Sequence, residues 1–381
     1  MKFLLVTGGS PATVFALVPL ATAARDAGHQ VVMAGNADLM PAITQCGIPA
    51  VSISPAPLHY YMFTESDGSP AKMPEGPRET MLFAGRAFAR MADASFDALL
   101  GLGEDWRPDV VVGGGAIYAA GLLAKQLEVP YARHAWDLAP TTEMDEAANE
   151  VLAPRLRKQG LEELPPPQPL IEICPPTLRG QEQAADVQRM RFVAANSQRP
   201  LESWMYTRTD RKHRVLITAG TRGGQSREHN AELLRRLSGT LSKLDIEVLV
   251  AGPDDMVDDL RTVLGEARVG WFPMDVVAHT CDVIVHHGGG TTAMTAMAAG
   301  TPQLAIPQED YQAACCRPIT DFGAGILLEP GQDTADNIAQ ACQTILADAG
   351  YRRRTQILAA EIAAMPSAAS VVEALEQRVA R

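Results

Sequence analysis

The chain has 381 residues, 46% of them hydrophobic and 20% charged, with a formal charge of −12 at pH 7. That length exceeds one ordinary core and implies two domains. The net charge argues against a nucleic-acid partner, whose phosphates would be repelled over most of the surface. The six cysteines (Cys46, Cys174, Cys281, Cys315, Cys316 and Cys342) include no C-x-x-C pair, which speaks against a zinc site or a disulfide framework and for a reducing, cytoplasmic setting.

The opening apolar run, residues 3–7, reads as a first strand and is too short for a signal peptide. It empties into Gly8-Gly9-Ser10-Pro11, and residues 15–27 then form a helix closed by Gly28. Further strands are expected at 31–34, 109–112 and 131–135, with a helix at 116–127. Strands separated by helices imply a parallel, doubly wound sheet. Residues 54–80 differ in texture, with prolines at 55, 57, 70 and 74 around the aromatic run His59-Tyr60-Tyr61-Met62-Phe63. Such a long irregular loop has a binding role, is partly disordered, or folds over a small apolar cluster of its own.

A second proline-dense stretch, 164–176, leads to a linker around 196–212. Alternation then restarts, with strands at 215–218, 246–251, 269–272, 283–285 and 303–306, a loop at 219–224 and a helix at 233–244. The reading is an α/β protein of two Rossmann-like domains facing across a cleft, residues 1–205 and 213–366. A last helix, 367–381, follows Pro366 and is able to pack back on the first domain. Facing sheets of this kind bind ligands at their strand C-terminal ends. Residues 283–308 carry no Asp, Glu, Lys or Arg, yet glycines, threonines, Pro302 and Pro307 break any lipid-spanning helix, so no membrane partner is expected.

The richest stretch is His286-His287-Gly288-Gly289-Gly290-Thr291-Thr292, which follows the β-branched run Val283-Ile284-Val285. Three glycines let backbone N–H groups approach an anion, and a helix start behind them adds unpaired donors and a partial positive charge. A purely structural turn needs one glycine, so the stretch reads as a diphosphate site. The carboxylates Asp254-Asp255 and Asp258-Asp259 follow Gly252-Pro253 and read as a solvated first helical turn rather than a metal site. No Asp-x-Asp occurs in the chain, so a carboxylate-held ion on a diphosphate is not expected.

The run from His286 to Thr292, followed by Gly300-Thr301-Pro302-Gln303-Leu304 and Ile306-Pro307, resembles the donor half of GT-B glycosyltransferases. Leu17-Val18-Pro19-Leu20, Gly28-His29-Gln30-Val31 and Phe322-Gly323-Ala324-Gly325-Ile326 extend the likeness to both domains. The chain is most similar to the actinomycete antibiotic glycosyltransferases, and among these to the angucycline C-glycosyltransferases of the urdamycin type. That resemblance implies inverting, metal-free transfer of a deoxysugar, D-olivose in the angucycline case, from a dTDP-sugar to an aromatic polyketide aglycone. No bound cofactor is implied, since the dTDP-sugar is a substrate.

The resemblance also implies site roles. His287 and the backbone of Gly288, Gly289, Gly290, Thr291 and Thr292 would hold the diphosphate, with Gly220, Thr221 and Arg222 beside it and Ser10 among the donor contacts. Trp271, Phe272 and Pro273, at a strand end, would carry backbone contacts to the base, with an aromatic wall. Glu309, Asp310 and Gln312 fall where the family sets an acidic residue and a glutamine against the sugar hydroxyls, although the spacing in Pro307-Gln308-Glu309-Asp310-Tyr311-Gln312 departs from the usual register. The acceptor is expected near Phe15, Tyr61, Phe63, Met81, Phe83 and Asp137.

Departing dTDP can be stabilised by helix dipole, backbone donors, His287 and Arg222, a fixed electrostatic arrangement. On the acceptor side many relatives carry a histidine as general base a few residues before Leu-Val-Pro-Leu, and here Thr13 stands at that position. A threonine hydroxyl takes no proton at neutral pH, so Asp137, just past a strand end, is the first candidate base and His134 the second. On an extended strand 133, 135 and 137 share a face, so the two point apart unless the chain turns. Helix capping is the alternative for Asp137, and packing within the sheet for His134.

A dinucleotide oxidoreductase would show G-x-G-x-x-G after its first strand, whereas Gly8-Gly9-Ser10-Pro11-Ala12-Thr13 lacks the third glycine. An O-glycosyltransferase on a similar aglycone, a sugar-nucleotide epimerase of the same architecture and a dTDP-binding module without turnover stay open on sequence alone, as do monomer and homodimer.

Overall fold

The computed structural model describes residues 1–65, 67–179, 186–208, 213–220, 227–241, 243–254, 257–264 and 267–380. The first half builds a parallel sheet from β1 (Lys2–Val6), β2 (Gln30–Asn36), β3 (Ala50–Ser54), β4 (Val110–Gly114), β5 (Tyr131–His134), β6 (Leu170–Glu172) and β7 (Val187–Arg189). Its order is β3-β2-β1-β4-β5-β6-β7. Around it lie α1 (Pro11–Asp26), α2 (Met40–Gln45), α3 (Leu58–Phe63), α4 (Pro77–Trp106), α5 (Tyr118–Leu127) and α6 (Thr142–Lys158). The central strands, Lys-Phe-Leu-Leu-Val and Val-Val-Val-Gly-Gly, are covered by helices on both faces and are apolar almost throughout.

The second half repeats the plan with β8 (His213–Thr218), β9 (Ile246–Ala251), β10 (Arg268–Gly270), β11 (Val283–His286), β12 (Gln303–Ala305) and β13 (Gly325–Leu327), ordered β10-β9-β8-β11-β12-β13. Short α7 (Ser203–Tyr206) precedes this sheet. Its helices are α8 (Arg227–Leu241), α9 (Val257–Leu264), α10 (Met274–Val277), α11 (Gly290–Ala298), α12 (Asp310–Asp321), α13 (Ala335–Ala347) and α14 (Ala349–Ala364), and α15 (Ala368–Val379) ends the chain.

Three features depart from the sequence expectations. Residues 54–80 are not one irregular loop: Leu58 to Phe63 form α3, and α4 starts at Pro77 and runs 30 residues. The strands β6 and β7, reading Leu-Ile-Glu and Val-Gln-Arg, are too short to show a period, and β3, Ala-Val-Ser-Ile-Ser, alternates over only four residues before a proline-rich stretch. Strand β10 ends at Gly270, so Trp271 and Phe272 lie in the turn after it.

The sheet orders place one reversal between β1 and β4 and another between β8 and β11, the points where loops leave in opposite directions and open a crevice. One apolar cluster joins the domains. It runs from Phe3, Leu5 and Leu17 through Val371, Val372 and Leu375 of α15 to Met294, Met297, Ile319 and Leu358. Helix α15 lies along α1, where His29 meets Glu376 at 2.5 Å and Arg378 forks onto Asp186 at 2.8 Å.

Candidate active site

Strand β11 ends at His286, and the chain turns through His287-Gly288-Gly289 into α11. Gly288 has φ +85°, a left-handed conformation, and a Cβ there would come within 2.9 Å of the Gln312 Cβ. Its N–H donates to Nδ1 of His286 at 3.0 Å. The other ring nitrogen, Nε2, lies 2.9 Å from Oε1 of Gln303, so the imidazole carries its proton on Nε2 and donates there. Gln303 donates in turn to the Ala293 carbonyl in α11 at 3.1 Å. Burial pulls His286 down to about 4, which keeps the ring neutral and this pattern intact. His286 therefore builds the loop from inside.

His287, one step further on, is 8% exposed. Its ring is walled by two glycines: a Cβ on Gly289 would come within 2.7 Å of His287 Nε2, and one on Gly220 within 2.8 Å of the same atom. Helix α11 starts with Gly289 as its N-cap, with no acidic residue in its first turn. The amides of Gly290, Thr291 and Thr292 have no intrahelical acceptor and lie at the positive end of the helix dipole. Loop, imidazole and helix start together form a surface suited to an anion. Thr221 and Arg222 lie outside the described residues, while Gly220 holds its place after β8.

The residues expected against base and sugar divide in two. The exposed ones are Glu309, the N-cap of α12, and Asp310 in its first turn. Gln312 is buried, and its Oε1 accepts the Gln308 N–H at 2.8 Å, so it shapes the loop ahead of α12. Trp271 lies half-buried under the Arg199 guanidinium, 4.6 Å from the ring centroid. Arg199 is held by two hydrogen bonds to Asp254, at 2.8 and 2.5 Å, which gives that acidic-turn residue a structural partner. Phe272 is buried edge-on against Trp204, with ring centroids 5.0 Å apart, and Pro273 is the N-cap of α10. The Phe272 side chain is core, while Trp271 keeps part of its ring exposed.

Across the cleft, the chain turns after β5 and separates the two candidate bases. His134 is fully buried in the sheet, its Nδ1 beside the Ala135 carbonyl, and burial pulls it down to about 4. Its Nε2 has no hydrogen-bond partner among the described residues, so His134 belongs to the sheet interior. Asp137 points into the junction between the domains. Its Oδ1 accepts the Ala139 N–H at 2.9 Å, its Oδ2 accepts the Tyr311 hydroxyl from α12, and a Cβ on Gly290 would lie 2.6 Å from its Cγ. Only a glycine at the start of α11 lets the two domains meet so closely.

The first loop closes this side. Oγ1 of Thr13 lies 2.8 Å from the Gly8 carbonyl and 2.7 Å from that of Ser10, so its one proton is spent on the backbone. Ser10 is the N-cap of α1 and is half-buried. Of the expected acceptor contacts, Tyr61 and Phe83 are buried and Phe15, Phe63 and Met81 half-buried. Tyr61 sets its hydroxyl 3.4 Å from Ser54 Oγ. The structure adds residues that sequence reasoning missed. A Cβ on Gly9 would lie 3.5 Å from both Leu58 and Phe88, and the Phe88 and Trp136 rings pack at a tilt of 39° with centroids 5.6 Å apart. Trp136 donates from Nε1 to the Tyr311 hydroxyl at 3.2 Å. The one hint in the sequence is the irregular register around Tyr311.

Against known proteins, residues 22–220 match the family described as Erythromycin biosynthesis protein CIII-like, N-terminal domain, and residues 235–378 the corresponding C-terminal domain. The chain is 31% identical to the L-demethylnoviosyl transferase of Streptomyces niveus, over 99% of both chains. Its fold matches the glycosyltransferase SsfS6 of Streptomyces sp. SF2575, solved with thymidine diphosphate, at TM-score 0.85 and 29% identity over 99% of each chain. It matches the spinosyn rhamnosyltransferase SpnG, solved with spinosyn aglycone, at TM-score 0.86 and 27% identity over 99% of this chain and 100% of that one. With both halves matched in order and the two-sheet architecture shared along its length, the chain belongs to the Erythromycin biosynthesis protein CIII-like family and is a glycosyltransferase of the GT-B fold.

Proposed function

We propose that this glycosyltransferase moves a deoxysugar from a dTDP-sugar to an aromatic polyketide aglycone by an inverting displacement without a metal, with Asp137 as general base. The observation that carries this reading is the meeting of Asp137 with Gly290 at the start of α11. A proton acceptor from one domain stands against an anion-binding helix start from the other, as a displacement between an acceptor and a diphosphate requires. Thymidine diphosphate bound to SsfS6 and spinosyn aglycone bound to SpnG support, by likeness, a dTDP-sugar donor and an aglycone acceptor. His287 and the amides of residues 290–292 would take the diphosphate, Trp271 the thymine, and Glu309 or Asp310 the sugar hydroxyls.

In the step itself the acceptor phenol passes its proton to Asp137. The electron pair this releases attacks the anomeric carbon, whose bond to the diphosphate oxygen breaks with both electrons leaving on dTDP. The finer form of the proposal is a C-glycoside of D-olivose. Ionisation of the phenol makes the neighbouring ring carbon nucleophilic; after attack that carbon releases its proton to water, and the phenoxide so restored takes back the proton held by Asp137. Thr13 supports this form, since its hydroxyl is tied to the backbone and no histidine stands there to serve an alcohol acceptor.

Asp137→Asn tests the base. Turnover is expected to fall by about a hundredfold or more while dTDP affinity by calorimetry stays within a few-fold. Turnover close to wild type removes Asp137 from the role. Incubation of dTDP-olivose with a hydroxylated anthraquinone, followed by NMR of the product, tests the bond: an anomeric proton coupled to a ring carbon is expected, and an oxygen-linked anomeric centre makes the enzyme an O-glycosyltransferase.

A further inference from the structure

We propose that Tyr311 is a positioning residue that carries a hydrogen bond across the cleft, so that Asp137 is aligned for proton transfer while α12 is docked against the first domain. The inference rests on the reading of Asp137 as base. Its warrant is the direction of the chain Trp136, Tyr311, Asp137. An indole N–H can only donate, and Nε1 of Trp136 lies 3.2 Å from the Tyr311 hydroxyl oxygen. The tyrosine oxygen is thus the acceptor, and its single proton is directed to Oδ2 of Asp137. With Oδ1 taken by the Ala139 amide at 2.9 Å, the carboxylate plane is set from both ends.

The arrangement links two segments that are 174 positions apart, one beside the acceptor side chains and one beside the exposed Glu309 and Asp310. Burial, with the Asp137 charge beside it, holds the Tyr311 phenol well above its ordinary range, so it stays a donor through neutral pH. Other titratable groups bear on Asp137 from the described elements packed around it. Cys316 of α12 and Cys174 beyond β6 are both pushed up to about 12 by burial and stay neutral. Arg179 donates to the Leu138 carbonyl at 2.8 Å and is paired with Glu172 at 2.7 Å, which answers its charge. A hydrogen bond to the ionised carboxylate favours that form, so its loss raises the proton affinity of Asp137 and loosens its orientation.

The test compares Tyr311→Phe with Asp137→Asn and wild type by kcat against pH, KM for the dTDP-sugar, dTDP affinity and melting temperature. For Tyr311→Phe we expect kcat to fall about tenfold and the acidic limb of its pH profile to move up by roughly one unit, with dTDP affinity unchanged. A wild-type rate and limb in Tyr311→Phe, together with an inactive Asp137→Asn, overturn the proposal and leave the base reading standing. An active Asp137→Asn overturns the base reading and this proposal with it. Should Tyr311→Phe fail to fold, Trp136→Phe reads the chain from its other end. It is expected to lower kcat by about threefold with the limb moved the same way, and an unmoved profile overturns the proposal.

Discussion

His286 and His287 are adjacent in the chain and differ in everything that matters to a ligand. Strand geometry sends successive side chains to opposite sides. His286 therefore lies inside, spending Nδ1 on the Gly288 amide and Nε2 on Gln303, while His287 lies beyond the last strand residue, between Gly220 and Gly289. His287→Ala removes an imidazole donor from the proposed diphosphate surface while leaving the His286 hydrogen bonds to Gly288 and Gln303 in place. Calorimetry should find dTDP bound about tenfold more weakly, the usual scale for one charge-assisted hydrogen bond. Unchanged affinity takes His287 out of the phosphate site. Part of this was legible in the residues: a β-branched run, three glycines and two hydroxyls mark an anion loop in any sequence. What residue types cannot convey is that the side-chain carbonyl of Gln312 accepts the Gln308 amide and so shapes the loop ahead of α12.

At the scale of elements, the sequence shows best where burial is one-sided or total. Strands β1, β4 and β11 are apolar over most of their length and stand out, whereas β6 and β7, three residues each at one margin of the sheet, do not. Helix α4 was hidden at its start, because Pro77 sits in a polar stretch and proline at a first helical position reads equally as loop. The Tyr311 contact with Asp137 was out of reach for another reason. It joins two helical and loop segments from different domains, and no local period reports which residues meet across a cleft. Helix α15 lies between these cases: its amphipathic pattern is plain, and its partner is not. Val371, Val372 and Leu375 are buried with Leu17 and Leu20 of α1 in the joining cluster. Leu375→Ala should cost about 3 kcal/mol, the range for a truncated core leucine, and should shift the midpoint of urea unfolding. A shift near zero would mean that α15 adds little to the core.

For the molecule as a whole, the two sheets share an acid liability. Each buries one neutral histidine completely, His134 in β5 and His286 in β11, and burial pulls both from 6.5 down to about 4. The folded protein thus holds fewer protons than the unfolded chain between those values, so stability is fully present above about pH 6.5 and declines as pH falls towards 4. The carboxylates of Asp254 and Asp333, held below their ordinary range beside Arg199 and Arg236, act in a lower window, since what they contribute is lost only as they protonate. Between pH 7 and pH 5 the histidines lose stability, whereas Asp38 and Asp275, raised by burial, add to it as they protonate in the fold, so it is the difference between wild type and a histidine variant that reports one imidazole. Across that interval the two histidines together should remove about 4 kcal/mol, a large share of the stability of an ordinary domain. His134→Leu should halve that loss, since it removes one of the two titrations. It should cost little at pH 7, where Nε2 of His134 has no partner among the described residues. Urea unfolding of both proteins at the two pH values decides the matter: an equal drop in wild type and variant would mean that His134 does not change its proton occupancy on folding.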